Sequence, residues 1–238
     1  MNRDPILITG VGKRLGLHLA RTFLGRGIPV IGIFRTERNS LNALKAEGAE
    51  LHFCDFLDEP QINLFMQAIV CRHSGLRAII HNASDWMPDS AGPPPGEIIQ
   101  RMMQVHVNAP YQLNLGLAPL LQAASTAQAD IIHVGDYVSS RGSTKHIAYA
   151  ASKAAQDNLT FSFAARLAPK VKVNSIAPAL MLFNEQDNDV YREKALQKSL
   201  LPREGGLNEF QRTVDYLLQS EYVTGRIHHL DGGRHLKA

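Results

Sequence analysis

Two side chains able to do acid–base work stand four residues apart in AYAASK: Tyr149 and Lys153. On a helix that spacing places both on one face. A phenol so placed can donate a proton to a substrate being reduced, and an ammonium beside it lowers its pKa from ~10 toward working pH. The same ammonium can hold the ribose hydroxyls of a nicotinamide. Alone, Tyr-x-x-x-Lys is common and usually marks two surface residues. It gains meaning from TGVGKRLG at 9–16. Glycines there permit a tight turn, and the helix that follows offers unpaired N–H groups to a pyrophosphate. An ordinary strand-to-helix turn is the plainer alternative. Together the two motifs predict hydride transfer from a dinucleotide.

Arg35 and Thr36 stand where an NAD site usually carries Asp or Glu for the ribose hydroxyls. A guanidinium and a hydroxyl suit a 2′-phosphate instead, so the expected cofactor is NADPH. Arg14 is a second cation for the same edge. Arg35 as a solvated loop charge is the competing reading, and Glu37 beside it complicates the inference. Asp55, after the third apolar run, is placed to accept a hydrogen bond from an adenine amino group.

These groups need a scaffold, and the chain supplies one in a regular alternation. Short apolar runs at 5–9, 29–34, 50–54, 78–81, 130–134, 171–176 and 227–230 read as strands. Helical patterns fall near 14–26, 40–47, 60–73, 96–123, 147–168, 190–199 and 207–219. The alternation predicts an α/β fold, a single-domain Rossmann-type doubly wound parallel sheet of about seven strands with helices on both faces. No linker or repeat divides residues 1–238. The segments 84–96 and 180–206 leave strand ends at the edge where such sheets bind ligands, which makes them candidate substrate walls.

The set TGVGKRLG, HNAS at 81–84, Asn108 in a helix and YAASK resembles the short-chain dehydrogenase/reductase family, over essentially the whole chain through VTGRIHHLDGG. The resemblance implies that Asn108 maintains a water-linked proton path to Lys153. It also implies that Gly10, Gly12, Lys13, Arg14, Leu15, Gly16, Arg35, Thr36, Asp55, Asn82, Ala83, Tyr149, Lys153 and Pro178 touch the cofactor. Three departures narrow it. Arg14 replaces a glycine usual in the turn. Asp136, in HVGDYVSS, stands thirteen residues before Tyr149 where the family usually has Ser. Trp86 puts an aromatic ring just past HNAS. With IIHNAS, RGSTKHIAYAASKAA, KVNSIAP and LDGGRHL, these departures resemble the pteridine reductases of the family.

That resemblance implies a flat pterin surrounded by Arg14, Ser84, Trp86, Asp136 and Tyr149, and NADPH-dependent reduction of a 7,8-dihydropterin, dihydrofolate included. Hydride would arrive at C6 while N5 gains a proton. The physical reading agrees. An aromatic face plus a few aimed polar groups suits a planar heterocycle. A carboxylate at 136 would repel the developing alkoxide of a carbonyl substrate, whereas a ring nitrogen needs a proton that an acidic relay can supply. A homotetramer is implied by the same resemblance, with the helices at 96–123 and 147–168 as its interface.

Two rivals stand. One is a carbonyl reductase of the same family in which a shifted loop brings in Ser139 or Ser140. The other is a non-catalytic dinucleotide-binding regulator, against which the intact Tyr149–Lys153 pair argues. Composition narrows the rest. With 25 Lys and Arg against 22 Asp and Glu, net +3, and no basic block, neither nucleic acid nor a membrane surface is an expected partner. Cys54 and Cys71 lack CxxC spacing, so neither a disulfide nor a zinc site is expected, and a reducing cytoplasm is. No apolar run approaches the ~18–20 residues that span a bilayer. The ten histidines form no metal set: His228 and His229 alternate in a strand, while His81, His106 and His133 are expected to make local hydrogen bonds.

Overall fold

The apolar runs become seven parallel strands: β1 (Ile6–Thr9), β2 (Val30–Phe34), β3 (Glu50–Phe53), β4 (Ala78–His81), β5 (Ala129–Val134), β6 (Val171–Pro178) and β7 (Ile227–Leu230). They form one sheet in the order β3-β2-β1-β4-β5-β6-β7 in a computed structural model that describes residues 4–237. Helices α1 (Arg14–Gly25), α2 (Asn39–Ala46), α3 (Glu59–Arg72), α4 (Pro95–Met103), α5 (Ala109–Gln122), α6 (Ile147–Leu167), α7 (Asp189–Leu196) and α8 (Leu207–Gln219) connect them. None of these helices is long and apolar enough to cross a membrane.

Alternating side chains sort the core onto two faces. Leu7, Ile31, Ile79, Ile131 and Val173 point to one face, beneath Phe65 of α3, Leu113 and Leu117 of α5 and Phe163 of α6. Ile6, Ile8, Ile80 and Ile132 point to the other, beneath Leu19 and Phe23 of α1 and Phe210 and Val214 of α8. Covered on both sides, β1, β4 and β5 are buried at every position, which is why they read as continuous apolar runs. Strand order reverses between β1 and β4, so a crevice opens beyond their C-terminal ends.

Most element ends shift by one or two residues from the sequence expectation, and α7 stops at Leu196 rather than 199. The larger difference lies in the helix expected over 96–123. It is two helices, α4 and α5, joined by a π-helical turn at Gln104–Asn108. Pro110 supplies a cause, because it has no N–H for the carbonyl of residue 106 and its ring crowds that carbonyl. The free cysteines are Cys54, buried with its thiol pushed up to about 12 by burial, and Cys71, exposed.

Candidate active site: a dinucleotide groove and a buried acid–base pair

The turn after β1 is held by three residues from two other parts of the chain. Asn82, just past β4, donates to the Thr9 and Gly10 carbonyls at 3.0 and 3.1 Å. The Ala83 N–H donates to the Thr9 hydroxyl at 2.8 Å. From α2, the Ser40 hydroxyl donates to the Gly12 carbonyl at 2.6 Å. Gly10 has φ 76°, a conformation glycine adopts freely, and a Cβ on Gly16 would sit 2.2 Å from the Gly10 oxygen. The turn thus packs α1 directly on the strand end.

A groove of 500 Å³ opens over this turn, lined by Gly10, Gly12, Lys13, Arg14, Leu15, Arg35, Thr36, Asp55, Asn82, Ala83, Ser84 and Trp86 among others. Helix α1 begins there without a side-chain cap, leaving N–H groups for an anion. That fits a pyrophosphate, and Arg35 with Thr36 fits a 2′-phosphate. Arg38, which sequence reasoning missed, also lines this end: its Cδ is 3.3 Å from where a Gly12 Cβ would stand. Asp55 lies in the wall, with Oδ1 accepting from the Leu57 N–H at 3.1 Å. Pro178, buried, ends β6 opposite Leu230. Arg35 is paired with Asp85 at 3.3 Å, and Asp85 also binds Arg101 of α4 at 2.6 Å. Burial would raise the Asp85 carboxyl, but the bond from Arg101 and the charges of Arg101 and Arg35 hold it below its ordinary value.

Arg14 does not turn toward the 2′-phosphate edge. It is the single non-glycine residue with positive φ, 51°, among the described residues. Its guanidinium donates to the Leu182 carbonyl at 2.8 Å and to Asn184 Oδ1 at 2.7 Å. The cation where the family usually has glycine therefore ties the cofactor turn to the segment after β6.

The acid–base pair sits on α6. Tyr149 is 9% exposed and Lys153 1%. The Tyr149 hydroxyl donates to Asp136 Oδ2 at 2.9 Å, while Asp136 Oδ1 accepts from the Val138 N–H at 3.0 Å and so caps the 3-10 turn at Tyr137–Ser140. Lys153 Nζ donates to the Val134 carbonyl at 2.8 Å and to Gln156 Oε1 at 3.3 Å. The expectation that the ammonium depresses the phenol is reversed. Burial raises Tyr149 well above its ordinary value, and the adjoining Asp136 carboxylate raises it further. Burial also raises Asp136 and lowers Lys153 to about 8. The result is a neutral phenol whose proton is held by a carboxylate.

Asn108 is a second correction. Its side chain is exposed and donates to Gln104 Oε1 at 2.9 Å, while both contacts of the Lys153 ammonium are made elsewhere. Residues two apart fall on nearly opposite sides of a helix, and the polar residue of this turn that faces the site is His106. It is fully buried. Its Nε2 accepts from the Asp85 N–H at 3.2 Å and lies 2.9 Å from the Ser84 hydroxyl. With Nε2 the acceptor, Nδ1 carries the proton and donates to the Ser152 hydroxyl at 2.8 Å, which donates to the Tyr149 carbonyl at 2.7 Å. Burial, and then the charge of Lys153, lowers His106 to about 2, so the ring is neutral, and it meets Tyr149 edge-on at 5.4 Å. Pro110, four residues on, was the available signal. His81 and His133 also make the local bonds expected of them, to Asn114 at 2.7 Å and to Thr160 at 2.8 Å.

Ser140 donates to the Tyr137 carbonyl at 3.1 Å and Ser139 lies beside Asp157, so neither serine occupies the place beside the phenol. Trp86 is 60% exposed at the mouth of the groove, its ring 4.4 Å from that of His146 and tilted 41°. It presents an aromatic face to solvent.

The family described as enoyl-(acyl carrier protein) reductase matches residues 10–235. The dihydromonapterin reductase of Klebsiella pneumoniae is 53% identical over 98% of this chain and 97% of its own length. That of Escherichia coli K12 is 52% identical over the same shares. Among solved structures, the FolM alternative dihydrofolate reductase 1 of Brucella suis, in complex with NADP, matches with a TM-score of 0.86 at 27% identity. The match covers 99% of this chain and 96% of that one.

Proposed function

The chain belongs to the short-chain dehydrogenase/reductase family, and from that premise we propose that it reduces a 7,8-dihydropterin to the tetrahydro form with NADPH. The observation that carries this reading is the 2.9 Å bond from Tyr149 to Asp136, which sets a protonated phenol against a carboxylate rather than a serine. A carboxylate there opposes alkoxide formation but suits protonation of a ring nitrogen.

NADPH held in the groove over Gly10–Gly16 would supply the hydride needed at C6. Tyr149 and Asp136 hold the proton destined for N5. Lys153 is set to take the ribose hydroxyls, while His106 orders Ser84 and, through Ser152, the Tyr149 backbone. Arg35, Thr36 and Arg38 face the 2′-phosphate end of the groove. Trp86 turns from His146 to stack on the pterin, and Ser84 lies beside it. The walls of the substrate space are the segments 84–96, which carries Trp86, and 180–206, which Arg14 tethers. The substrates are dihydromonapterin, named for relatives 53% and 52% identical, and dihydrofolate. The cytoplasm is its proposed compartment. A homotetramer through α5 and α6 is supported by Tyr111 and Phe161, which those helices expose.

The deciding experiment is steady-state NADPH oxidation with dihydromonapterin, dihydrofolate and a panel of ketones and aldehydes. Turnover of the dihydropterins in preference to the carbonyl panel is expected. Faster carbonyl reduction would overturn the reading.

A further inference from the structure

Tyr137 follows Asp136 directly, and its ring forms one wall of a second cavity, of 360 Å³. Three separate stretches meet there: the turn after β5 with Tyr137 and Arg141, the segment after α7 with Lys198, and the C-terminal turn with Arg234 and Lys237. Four cations and no carboxylate line it. None of the four forms a salt bridge among the described residues.

The arrangement is held by the fold. The Asp231 carboxylate accepts from the Gly233 and His235 N–H groups at 3.0 and 3.1 Å and from the His235 ring at 2.8 Å, which fixes the C-terminal turn. The Arg234 guanidinium then lies 4.2 Å from the centre of the Tyr137 ring, and Arg141 donates to the Arg234 carbonyl at 3.4 Å. Lys237 Nζ donates to the Ser199 carbonyl at 3.3 Å, closing the opposite wall. Like charges gathered around one cavity repel, and a cleft lined by one sign of charge draws a counter-ion. Guanidinium and ammonium groups bind carboxylate and phosphate alike.

We propose that this cavity is a subsite for an anionic tail on the substrate, the carboxylates of a glutamyl chain or a phosphate on the pterin side chain. The proposal rests on the dihydropterin reading above, since it places the ring at Asp136 and Tyr149 and the tail one residue further along the wall. A neutral polyhydroxylated side chain would leave the cavity's four cations without a salt-bridged counter-charge. The subsite therefore separates substrates by tail charge rather than by ring.

The test compares a neutral dihydropterin, dihydrofolate, polyglutamylated dihydrofolate and a dihydropterin with a phosphorylated side chain, in wild type, Arg234→Gln and Lys198→Gln. The two substitutions lie on different walls, so a folding defect in one leaves the other informative. Each is expected to lower kcat/KM for the anionic substrates roughly 10-fold, the loss of one charge-assisted hydrogen bond, mainly through KM. The neutral substrate should stay within about two-fold, and only the anionic substrates should lose kcat/KM as salt rises. Whether the glutamyl or the phosphorylated substrate is affected more identifies the tail. Equal losses on neutral and anionic substrates, or none on either, would overturn the subsite. Equilibrium titration with p-aminobenzoylglutamate reads the cavity without turnover: tighter binding by wild type than by either variant supports the subsite, and equal binding overturns it. Failure of the neutral dihydropterin to turn over counts against the reaction and leaves that titration to judge the cavity.

Discussion

Asp136 divides its two oxygens between tasks, one capping the turn through Val138 and the other accepting the Tyr149 proton. Asp136→Asn retains much of the cap but removes the charge. We expect kcat to fall about 10²–10⁴-fold, the usual worth of general acid catalysis, with NADPH affinity unchanged. Pre-steady-state kinetics and cofactor titration check this, and unaltered turnover would leave Asp136 a turn cap alone. His106 is the residue through which the π-helical turn reaches the site. His106→Leu removes the acceptor of the part-buried Asp85 N–H, a loss of at most about 1–3 kcal/mol in stability. His106→Gln, which offers an acceptor again, should recover part of the activity as well as the stability. Trp86→Ala should raise KM for the dihydropterin by at least the roughly 2- to 10-fold that stacking of about 0.5–1.5 kcal/mol provides, leaving NADPH affinity alone. An unchanged KM would mean that Trp86 only covers His146.

At the scale of elements, two arginines join parts of the chain that the strands keep apart. Arg35 links the end of β2 to Asp85 beyond β4, and Asp85 carries the link on to Arg101 of α4. Arg35→Asp would set a second carboxylate against Asp85 and remove the cation facing the 2′-phosphate. Loss of most of the preference for NADPH over NADH is expected, about 1.5–3 kcal/mol or roughly 10- to 150-fold. Comparing kcat/KM for the two cofactors decides it. Arg14 holds a left-handed backbone and binds the 182–184 backbone and side chain. Arg14→Gly relaxes the backbone and releases the tether. Hydrogen exchange should then quicken across 182–206 while the turn itself stays protected, and exchange that is unchanged there would show that the segment orders itself.

For the whole molecule, pH dependence follows from imidazoles sealed in the core. Burial lowers His81 to about 4, His106 to about 2 and His133 well below its ordinary value. In the unfolded chain these groups titrate near ~6.5, so below that pH the unfolded state binds more protons. Their contribution is complete above ~6.5 and is lost as pH falls toward the folded values, at about 1.4 kcal/mol for each unit of separation. Asp130 and Asp136, raised by burial, act in the opposite sense and offset part of the loss. The expected outcome is a melting temperature that declines below about pH 6.5, with net proton uptake on unfolding near pH 5.5. Calorimetry in buffers of different ionisation enthalpy measures that uptake, and net release would contradict the assignment.

The sheet was legible in the sequence strand by strand: inner strands buried on both faces must be continuously apolar over a few residues, and the half-buried edge strands β3 and β7 followed from the regular strand–helix alternation. The glycine turn and the Tyr149–Lys153 spacing were legible for a similar reason, since each depends on neighbours along the chain. Asp136 and Trp86 were visible only as departures at known spacings. What the sequence left open was decided across the sheet. A regular helix over 96–123 gave no reason to prefer His106 to Asn108, and the π-helical turn made the choice. Arg14 could be placed near the cofactor, but its contact with residues 182 and 184, nearly 170 positions away, exists only when β1 and β6 end at the same edge. The pKa of Tyr149 turned on burial, which no local pattern reports, and burial with the Asp136 charge set its direction. Arg38 and the four cations beside Tyr137 come from scattered stretches whose only common feature is where the crossovers bring them.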